Sequence, residues 1–249
     1  MSALAGRRAV ITGGGTGIGL ACARRLAAEG VETVLMGRDL DRLREAADSI
    51  GGASAIRCDV TDDDSVRSAF EAAGAVDILV NNAGIVSAAA FHRTPMADWQ
   101  RIQAVNVEGL VRCSQAVAGS MMCADYARII NIASIAGLRG GAYVAPYVAS
   151  KHAVVGLTKS LSLEYAQTRL TVNAVCPGYV ETEIVENSIA NIMEKTGRTR
   201  DQALAELTKT NPQGRLIQVE EVAEAVAWLC SPLSGSVSGQ AIAISGGAV

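Results

Sequence analysis

Short apolar runs alternate with longer amphipathic stretches along most of this 249-residue chain. The runs are rich in Val, Ile and Ala, which is typical of strands that are buried on both faces of a sheet. The stretches between them carry apolar residues at helical spacing, which predicts a covering helix after each strand. We therefore expect an α/β fold with a doubly wound, seven-stranded parallel sheet and helices on both of its faces.

The pattern places thirteen elements in the chain. The predicted strands are Arg8 to Thr12, Val31 to Met36, Ala53 to Cys58, Val76 to Asn81, Ala127 to Ser134, Leu170 to Cys176 and Ala241 to Ile244. The predicted helices are Gly17 to Glu29, Asp39 to Ile50, Asp62 to Ala73, Met96 to Met122, Pro146 to Gln167 and Val219 to Leu229. No linker rich in Pro, Gly or Ser divides the series, so we expect residues 1–249 to form a single domain.

The composition excludes several classes of partner. The net charge of −3 offers no cationic surface to nucleic acid or anionic lipid. The 25 residues after Glu224 are uncharged, but Pro232, Gly235 and other breakers interrupt them, so they do not form a spanning helix. The cysteines are scattered, and His92 and His152 have no Cys or second His nearby, so we expect no metal site. These features predict a cytoplasmic protein.

A polar, helix-prone segment from Thr182 to Ile217 lies between a predicted strand and the helix expected after it. An insertion at the carboxyl end of a parallel strand falls where such sheets bind ligands. We expect a helical substrate lid at about residues 183–217. A solvated helical excursion without contact to a ligand is the alternative.

A glycine-rich turn connects the first predicted strand to the first helix. Glycine permits positive φ angles and lets backbone N–H groups approach a pyrophosphate, while the helix N-terminus adds partial positive charge. The spacing is G-x-x-x-G-x-G rather than the common G-x-G-x-x-G. Its position between strand and helix predicts a dinucleotide site formed by Gly13, Gly15, Thr16, Gly17, Ile18 and Gly19.

The end of the second strand distinguishes NADP from NAD. A carboxylate there would bond to the ribose 2′-hydroxyl and repel a 2′-phosphate. Gly37 stands where that acid is expected, and Arg38 offers a guanidinium to a phosphate. Asp39 suits the N-cap of the following helix. The segment therefore favours NADP(H), with NAD(H) as the alternative if Asp39 is the displaced acid.

Tyr147 and Lys151 are four residues apart near the start of a predicted helix, so they share one face. A phenol with a pKa of about 10 is a poor proton donor or acceptor at neutral pH unless a nearby cation stabilises its anion. Ser134 ends the fifth predicted strand, where its hydroxyl would hold a substrate oxygen beside Tyr147. An exposed polar pair is the alternative interpretation of the Tyr147–Lys151 spacing.

With these residues in place, the whole chain resembles the short-chain dehydrogenase/reductase family, and the resemblance implies a Rossmann-type sheet. The similar segments are residues 12–19, Asn81-Asn82-Ala83-Gly84, Asp59-Val60, Pro177-Gly178-Tyr179-Val180-Glu181-Thr182, and the tetrad Asn106, Ser134, Tyr147 and Lys151. The resemblance implies further cofactor contacts from Asp59, Val60, Asn82, Ala83, Gly84, Tyr147, Lys151, Pro177, Gly178, Val180 and Thr182.

The same resemblance implies a role for each member of the tetrad. Tyr147 would be the general acid in reduction of a carbonyl, and Ser134 would orient and polarise that carbonyl. Lys151 would lower the pKa of Tyr147 and bind the nicotinamide ribose. Asn106 would hold a water that links Lys151 to solvent. A homotetramer is also implied, with the helices of Met96 to Met122 and Pro146 to Gln167 in one interface and the uncharged C-terminal segment in another.

Two segments bear on the substrate. Residues 145–152 and 175–182 resemble 3-oxoacyl reductases, including aromatic polyketide ketoreductases, which implies reduction of a 3-oxoacyl thioester to its 3-hydroxy product. The segment after Thr182 is similar to that of 3-hydroxybutyrate dehydrogenases, so an NAD-dependent 3-hydroxy acid or secondary alcohol dehydrogenase is the alternative. A non-catalytic dinucleotide sensor is a more distant alternative, because all four tetrad positions are filled.

The sequence also gives expectations for the chemical form of the substrate and for the residues that line its pocket. Carrier-protein reductases of this family have basic residues before the fifth strand, whereas this chain has Cys123 to Tyr126 ahead of Arg128. This difference favours a CoA-linked or small free substrate. The pocket candidates are Ala136, Leu138, Arg139, Tyr143, Tyr179 and lid residues near Ile184 and Val185. Tyr143 is either a pocket residue or an ordinary packing residue.

Overall fold

Seven parallel strands form one sheet in the computed structural model, which describes residues 2–209 and 211–249. The strands are β1 (Arg8–Thr12), β2 (Glu32–Gly37), β3 (Ser54–Arg57), β4 (Ile78–Asn81), β5 (Ala127–Ile132), β6 (Leu170–Pro177) and β7 (Ala241–Ile244). Their spatial order is β3-β2-β1-β4-β5-β6-β7, and every neighbouring pair is parallel. This doubly wound Rossmann-type sheet confirms the predicted fold class.

Helices connect the strands and cover both faces of the sheet. They are α1 (Gly17–Ala27), α2 (Leu40–Ile50), α3 (Asp63–Ala73), α4 (Met96–Gln103), α5 (Gly109–Met122), α6 (Ala145–Glu164), α7 (Glu183–Thr196), α8 (Arg200–Thr208) and α9 (Val219–Cys230). The predicted elements thus agree with the structure to within a few residues at their ends, except in the α4–α5 region.

Successive residues of the central strands point into two separate cores because side chains alternate across a strand. Ala9 and Ile11 of β1 pack with residues of α1, α2 and α9 on one face, and Val10 packs with residues of α3 and α5 on the other. Each of these three side chains has no exposed surface. The two-sided burial explains why the central strands are continuous apolar runs rather than alternating ones.

The order of the strands reverses between β1 and β4, which lie side by side in the middle of the sheet. From β1 the chain winds outward through β2 to β3, and from β4 it winds the other way through β5 and β6 to β7. The loops that leave the carboxyl ends of β1 and β4 therefore diverge and leave a crevice between them. This crevice is the expected ligand site of such a sheet.

The predicted continuous helix from Met96 to Met122 is wrong in its middle. A wide π-helical turn, Ala104–Glu108, separates α4 from α5. Asn106 lies in this turn with 2% of its surface exposed, and its amide bonds to the backbone of Ile85. Such turns insert an extra residue into a helix and are frequent at functional sites. The helical pattern of the sequence does not reveal the insertion, since the residues on both sides keep helical spacing.

Residues 183–208 contain α7 and α8, which pack against each other around Val185, Ile189, Ala203 and Leu207. Gly197 ends α7 in a left-handed conformation with φ 69°. Thr210, which belongs to the predicted lid, lies outside the described residues.

Candidate active site

The carboxyl edge of the sheet brings the predicted catalytic side chains together. Ser134 lies two residues beyond β5, where its hydroxyl accepts a hydrogen bond from the Ala136 N–H at 3.1 Å. Tyr147 lies in the first turn of α6, and Lys151 follows one turn later on the same face. This edge therefore presents a hydroxyl, a phenol and an ammonium in one place.

Lys151 is a buried cation held by the backbone. Its side chain is on a residue that is only 5% exposed, and its Nζ donates to the Ile132 carbonyl oxygen at 2.8 Å. Burial lowers the pKa of Lys151 to about 8. A Cβ added at Gly84 would lie 3.7 Å from this Nζ and 3.4 Å from Asn106 Oδ1, so Gly84 lies next to both polar groups.

The surroundings of Tyr147 differ from the expectation. Burial raises the pKa of Tyr147, and a hydrogen bond with Ser134 lowers it in part. The ammonium of Lys151 lies 5.7 Å from the centre of the tyrosine ring. The hydrogen bond with Ser134 favours the ionised phenol and opposes the effect of burial.

Ser150 is a buried hydroxyl of the site that the sequence reasoning missed. Its Oγ donates to the Tyr147 carbonyl oxygen at 2.7 Å and accepts from Asn106 Nδ2 at 3.0 Å. Asn106 in turn pairs with both backbone groups of Ile85. Ser150 therefore joins the π-helical turn to the first turn of α6. No sequence signal marks it, because its partner Asn106 is 44 positions away.

A network of hydrogen bonds holds the glycine-rich turn against the loop after β4. The Nδ2 of Asn82 donates to the carbonyl oxygens of Thr12 and Gly13 at 3.0 and 3.1 Å. The Thr12 hydroxyl accepts from the backbone N–H groups of Asn82 and Ala83 at 3.0 and 3.1 Å. Asn82 thus acts on the turn itself, by fixing the path of its backbone.

The turn is a cradle that side chains would fill. Gly13 and Gly17 have φ angles of 63° and 50°, which favour glycine. A Cβ at Gly19 would lie 2.4 Å from the Gly13 carbonyl oxygen, so glycine there permits α1 to approach the turn. Gly15, Thr16 and Ile18 complete the connection and are partly exposed. The partly exposed backbone at the start of α1 fits a pyrophosphate.

The end of β2 has the arrangement that the sequence predicts. Asp39 accepts from the Arg42 N–H at 3.1 Å as the N-cap of α2. Arg38 is exposed and forms no hydrogen bond within residues 2–209 and 211–249, and Gly37 adds no side chain beside it. The pKa of Asp59 is lowered by hydrogen bonds from Thr61 and, more weakly, by the charge of Arg38. The end of β2 therefore presents one exposed guanidinium, that of Arg38, with the carboxylates of Asp39 and Asp59 nearby.

Several other predicted cofactor residues are engaged in packing and backbone contacts. Pro177 and Val180 are buried, and Val180 forms a parallel bridge to Ile217. The Gly178 N–H donates to the Ile244 carbonyl oxygen at 2.9 Å. Val60, which follows Asp59, packs where a Cβ at Gly109 would lie only 2.7 Å away. The side chains of Pro177 and Val180 thus support the sheet edge.

The first residues of the predicted lid lie across the glycine-rich turn. A Cβ at Gly17 would lie 3.2 Å from Thr182 Cγ2. Glu183, the first residue of α7, forms an ion pair with Arg42 of α2. These contacts place the start of α7 against the start of α1 and against α2.

The pocket candidates divide into two groups. Leu138, Tyr143, Tyr179 and Ile184 are exposed large apolar residues on loops or helix ends. The structure corrects the prediction that Val185 lines the pocket, because Val185 is 5% exposed and belongs to the small core of α7 and α8. The pocket candidates Ala136 and Arg139 are partly exposed. Arg139 donates to the Ala248 carbonyl oxygen at 3.0 Å, which ties it to the C-terminal segment.

Two kinds of site are not seen in the part of the chain that the structure describes. No group of three or more His, Cys, Asp or Glu side chains is placed to hold a metal ion there. Among these residues, no helix is long and apolar enough to cross a membrane.

Known proteins match both the sequence and the fold. A family model described as short chain dehydrogenase matches residues 7–193. A relative from Streptomyces violaceoruber, named for ketoacyl reduction in the granaticin polyketide synthase, is 39% identical over 249 residues, covering 96% of this chain and 92% of the relative. A D-beta-hydroxybutyrate dehydrogenase of Rhizobium meliloti is 36% identical, covering 97% and 98%.

A solved structure gives the same picture. A variant of the actinorhodin polyketide ketoreductase, crystallised with NADPH, superposes with a TM-score of 0.94 at 37% identity. The match covers 100% of this chain and 99% of that one.

Proposed function

This chain belongs to the short-chain dehydrogenase/reductase family and is an oxidoreductase of that family, and from this premise we propose that it reduces a 3-oxoacyl thioester to the 3-hydroxyacyl product with NADPH. The observation that carries the proposal is the meeting of Ser134, Tyr147 and Lys151 at the carboxyl edge of the sheet, beside the glycine-rich turn.

The family binds a nicotinamide dinucleotide, and the residues of this chain fit one. The glycine-rich turn would hold the pyrophosphate, Asp59 and Val60 the adenine, and Gly178 with Thr182 the carboxamide end. Ala83 and Gly84 would line the passage between them. Arg38 would bind the 2′-phosphate of NADP, because Asp39 already caps α2. When bound, the dinucleotide supplies the hydride of the reduction.

Each polar side chain of the site has one task in the proposed reaction. The Ser134 hydroxyl holds the carbonyl oxygen of the substrate, and the Tyr147 hydroxyl donates its proton to that oxygen. Lys151 places positive charge beside the phenol and binds the nicotinamide ribose. Asn106 holds a water that returns a proton from solvent toward Lys151. The buried surroundings strengthen each of these electrostatic interactions.

Arg128 supports a CoA-linked or small free substrate over one bound to a carrier protein. It is the basic residue nearest the start of β5, yet it is 3% exposed. Its guanidinium packs over the Tyr126 ring at 4.4 Å and donates to backbone oxygens such as that of Arg169. A carrier protein that docks through acidic groups would not reach this cation.

A second candidate function is an NAD-dependent dehydrogenase of a 3-hydroxy acid or a secondary alcohol. The D-beta-hydroxybutyrate dehydrogenase match over 97% of the chain favours it. The exposed Arg38 and the engaged Asp39 argue for the NADP-dependent reductase instead. The ratio of kcat/KM for NADPH to that for NADH distinguishes the two functions.

The proposed role of Tyr147 is tested by its replacement with phenylalanine. We expect Tyr147→Phe to bind NADPH as the parent does, by fluorescence titration, and to lose almost all oxidation of NADPH with acetoacetyl-CoA. Tyr165→Phe is the matched control, since Tyr165 is a buried tyrosine beyond the other end of α6. Substantial turnover by Tyr147→Phe would show that another group supplies the proton.

We further propose that the chain forms a homotetramer in which α7 and α8 cover the substrate of each subunit. Exposed apolar side chains lie on the proposed subunit contacts: Leu163 at the end of α6, Trp228 on α9 and Leu233 after it are 78%, 51% and 98% exposed. Such surface favours burial against another copy. Sedimentation velocity tests this assembly, and a monomer at micromolar concentration would contradict it.

A further inference from the structure

Tyr143 holds a left-handed backbone conformation in the loop that leads into α6. Its φ is 66°, and no other residue besides glycine has a positive φ in residues 2–209 and 211–249. A bulky side chain is disfavoured there because its Cβ crowds the backbone. Gly140 and Gly141 stand in the same loop, yet the left-handed position is taken by the tyrosine.

A hydrogen bond holds Tyr143 in this conformation. The Ala89 N–H donates to the Tyr143 carbonyl oxygen at 2.8 Å. Ala89 lies in the loop after β4, five residues beyond Gly84, and Tyr143 lies in the loop after β5, four residues before Tyr147. The bond therefore joins the two loops that border the proposed site of proton transfer.

The ring of Tyr143 does not offset this strain by packing in the fold. It is 69% exposed, and within the described chain its hydroxyl forms no hydrogen bond. Strained backbone that the surrounding structure holds in place is typical of ligand-binding and catalytic loops. Tyr179, which follows β6, and Leu138, which follows the turn at Ser134, also expose apolar surface at this edge.

We propose that Tyr143 is a specificity-determining residue whose ring forms an apolar wall against the substituent on the ketone carbon. The wall selects ketones that carry a planar or bulky apolar group over methyl ketones, because an aromatic ring gains stacking or edge contacts with such a group. This inference rests on the proposed carbonyl reduction and names its substrate class. It also gives the exposed and strained position of Tyr143 a physical reason.

The test compares two β-keto esters that differ only in the group on the ketone carbon. Ethyl benzoylacetate carries a phenyl group there and ethyl acetoacetate a methyl group. We expect Tyr143→Gly to lower the ratio of kcat/KM for the phenyl ester to that for the methyl ester about tenfold. The loss appears in KM, and the Kd of NADPH stays at the parent value.

Two further variants separate the ring from the backbone. Tyr143→Phe keeps the ring, so we expect it to keep the preference for the phenyl ester. Tyr143→Asn tolerates the left-handed conformation but lacks the ring, so it lowers the ratio as Tyr143→Gly does. Because strain is relieved, Tyr143→Gly and Tyr143→Asn unfold at a temperature a few degrees above that of the parent.

Binding without turnover distinguishes failure of this inference from failure of the proposed function. In a Tyr147→Phe background loaded with NADPH, calorimetry measures the Kd of ethyl benzoylacetate, which we expect Tyr143→Gly to raise about tenfold. Unchanged Kd and KM would overturn the role of Tyr143, while the proposed carbonyl reduction would still stand. A lower unfolding temperature for Tyr143→Gly would likewise contradict the inference about Tyr143 and leave carbonyl reduction in place. A parent protein that neither reduces nor binds either ester would overturn both.

Discussion

The Asn106 amide donates to the Ser150 hydroxyl at 3.0 Å, across two helical segments 44 residues apart in the chain. Ser150 uses its own proton on the Tyr147 carbonyl oxygen, so toward Asn106 it acts only as an acceptor. The Tyr147 carbonyl of α6 therefore fixes which group donates and which accepts in the hydrogen bond between Asn106 and Ser150. Asn106 Oδ1 accepts a hydrogen bond from the Ile85 N–H. The same oxygen lies close to Gly84, which is also close to Lys151 Nζ.

Ser150→Ala tests this link. The variant leaves an Asn106 N–H without a partner in the interior, which costs about 1–3 kcal/mol of the free energy of unfolding. In an Asn106→Leu background, the same substitution should cost clearly less, since the partner is already gone. Urea denaturation of the double-mutant cycle measures the coupling.

Ser162→Ala is the matched control for Ser150. Ser162 lies on the same helix and donates to the Lys159 carbonyl oxygen three residues back at 2.8 Å, but from an exposed position. We expect a change within about 0.5 kcal/mol there. Equal costs in the Asn106 and Asn106→Leu backgrounds would refute the coupling of Ser150 to Asn106.

The lowered pKa of the buried Lys151 leads us to expect that the free energy of unfolding depends on pH. Its pKa falls from 10.5 to about 8 in the folded state, so the folded state binds fewer protons than the unfolded state between these values. Stability from this group therefore rises with pH from about 8 to 10.5, by roughly 3 kcal/mol in total. We expect the free energy of unfolding of the parent, relative to Lys151→Met, to grow across this window in urea titrations.

Lys159→Met is the control for the lysine experiment, because Lys159 lies on the same helix with its side chain exposed. Its difference from the parent should show no such growth with pH. A parent–Lys151→Met difference that stays constant between pH 7 and 10 would mean that burial does not lower the pKa of Lys151.

Arg38→Ala tests the choice of cofactor. Loss of a charge-assisted bond to the 2′-phosphate, worth about 1.5–3 kcal/mol, should raise the KM for NADPH roughly 10- to 100-fold and change the KM for NADH little. Arg44→Ala is the control, since Arg44 is an exposed arginine of α2 that pairs with Asp41. Unchanged NADPH affinity in Arg38→Ala would remove the assignment.

Gly19→Ala tests the packing of the glycine-rich turn. The added Cβ would meet the Gly13 carbonyl oxygen at 2.4 Å, and backbone cannot yield as a flexible side chain does. We expect a loss of about 1–3 kcal/mol in the free energy of unfolding together with weaker NADPH binding. Gly37→Ala, whose Cβ would lie 3.6 Å from the nearest atom of Leu43, should change stability by less than about 1 kcal/mol.

The sequence predicted the fold because the pattern that specifies it is local. Strand after strand reads as a continuous apolar run, as in Val10 and Ile11, because both faces of the sheet are covered. The glycine-rich turn and the Tyr147–Lys151 spacing are likewise local patterns. Position along the chain alone places them near the carboxyl edge of a parallel sheet.

What the sequence missed depends on contacts between distant segments. The π-helical turn at Asn106 and the buried hydroxyl of Ser150 have partners on other elements. The pKa of Tyr147 reflects burial and a bond to Ser134, neither of which a spacing of four residues reveals. Val185 looked like a pocket residue by position, but it packs between α7 and α8.

The sequence by itself determined the order of strands and helices, the family and the identity of the polar groups at the site. Short-range patterns of hydrophobicity, glycine and charge carry that information. Only the tertiary structure decided how these groups act on one another: which amide faces Ser150, that burial raises the pKa of Tyr147, and that Tyr143 is strained and exposed. Those properties arise from burial and from bonds between residues far apart in the chain, which no local pattern encodes.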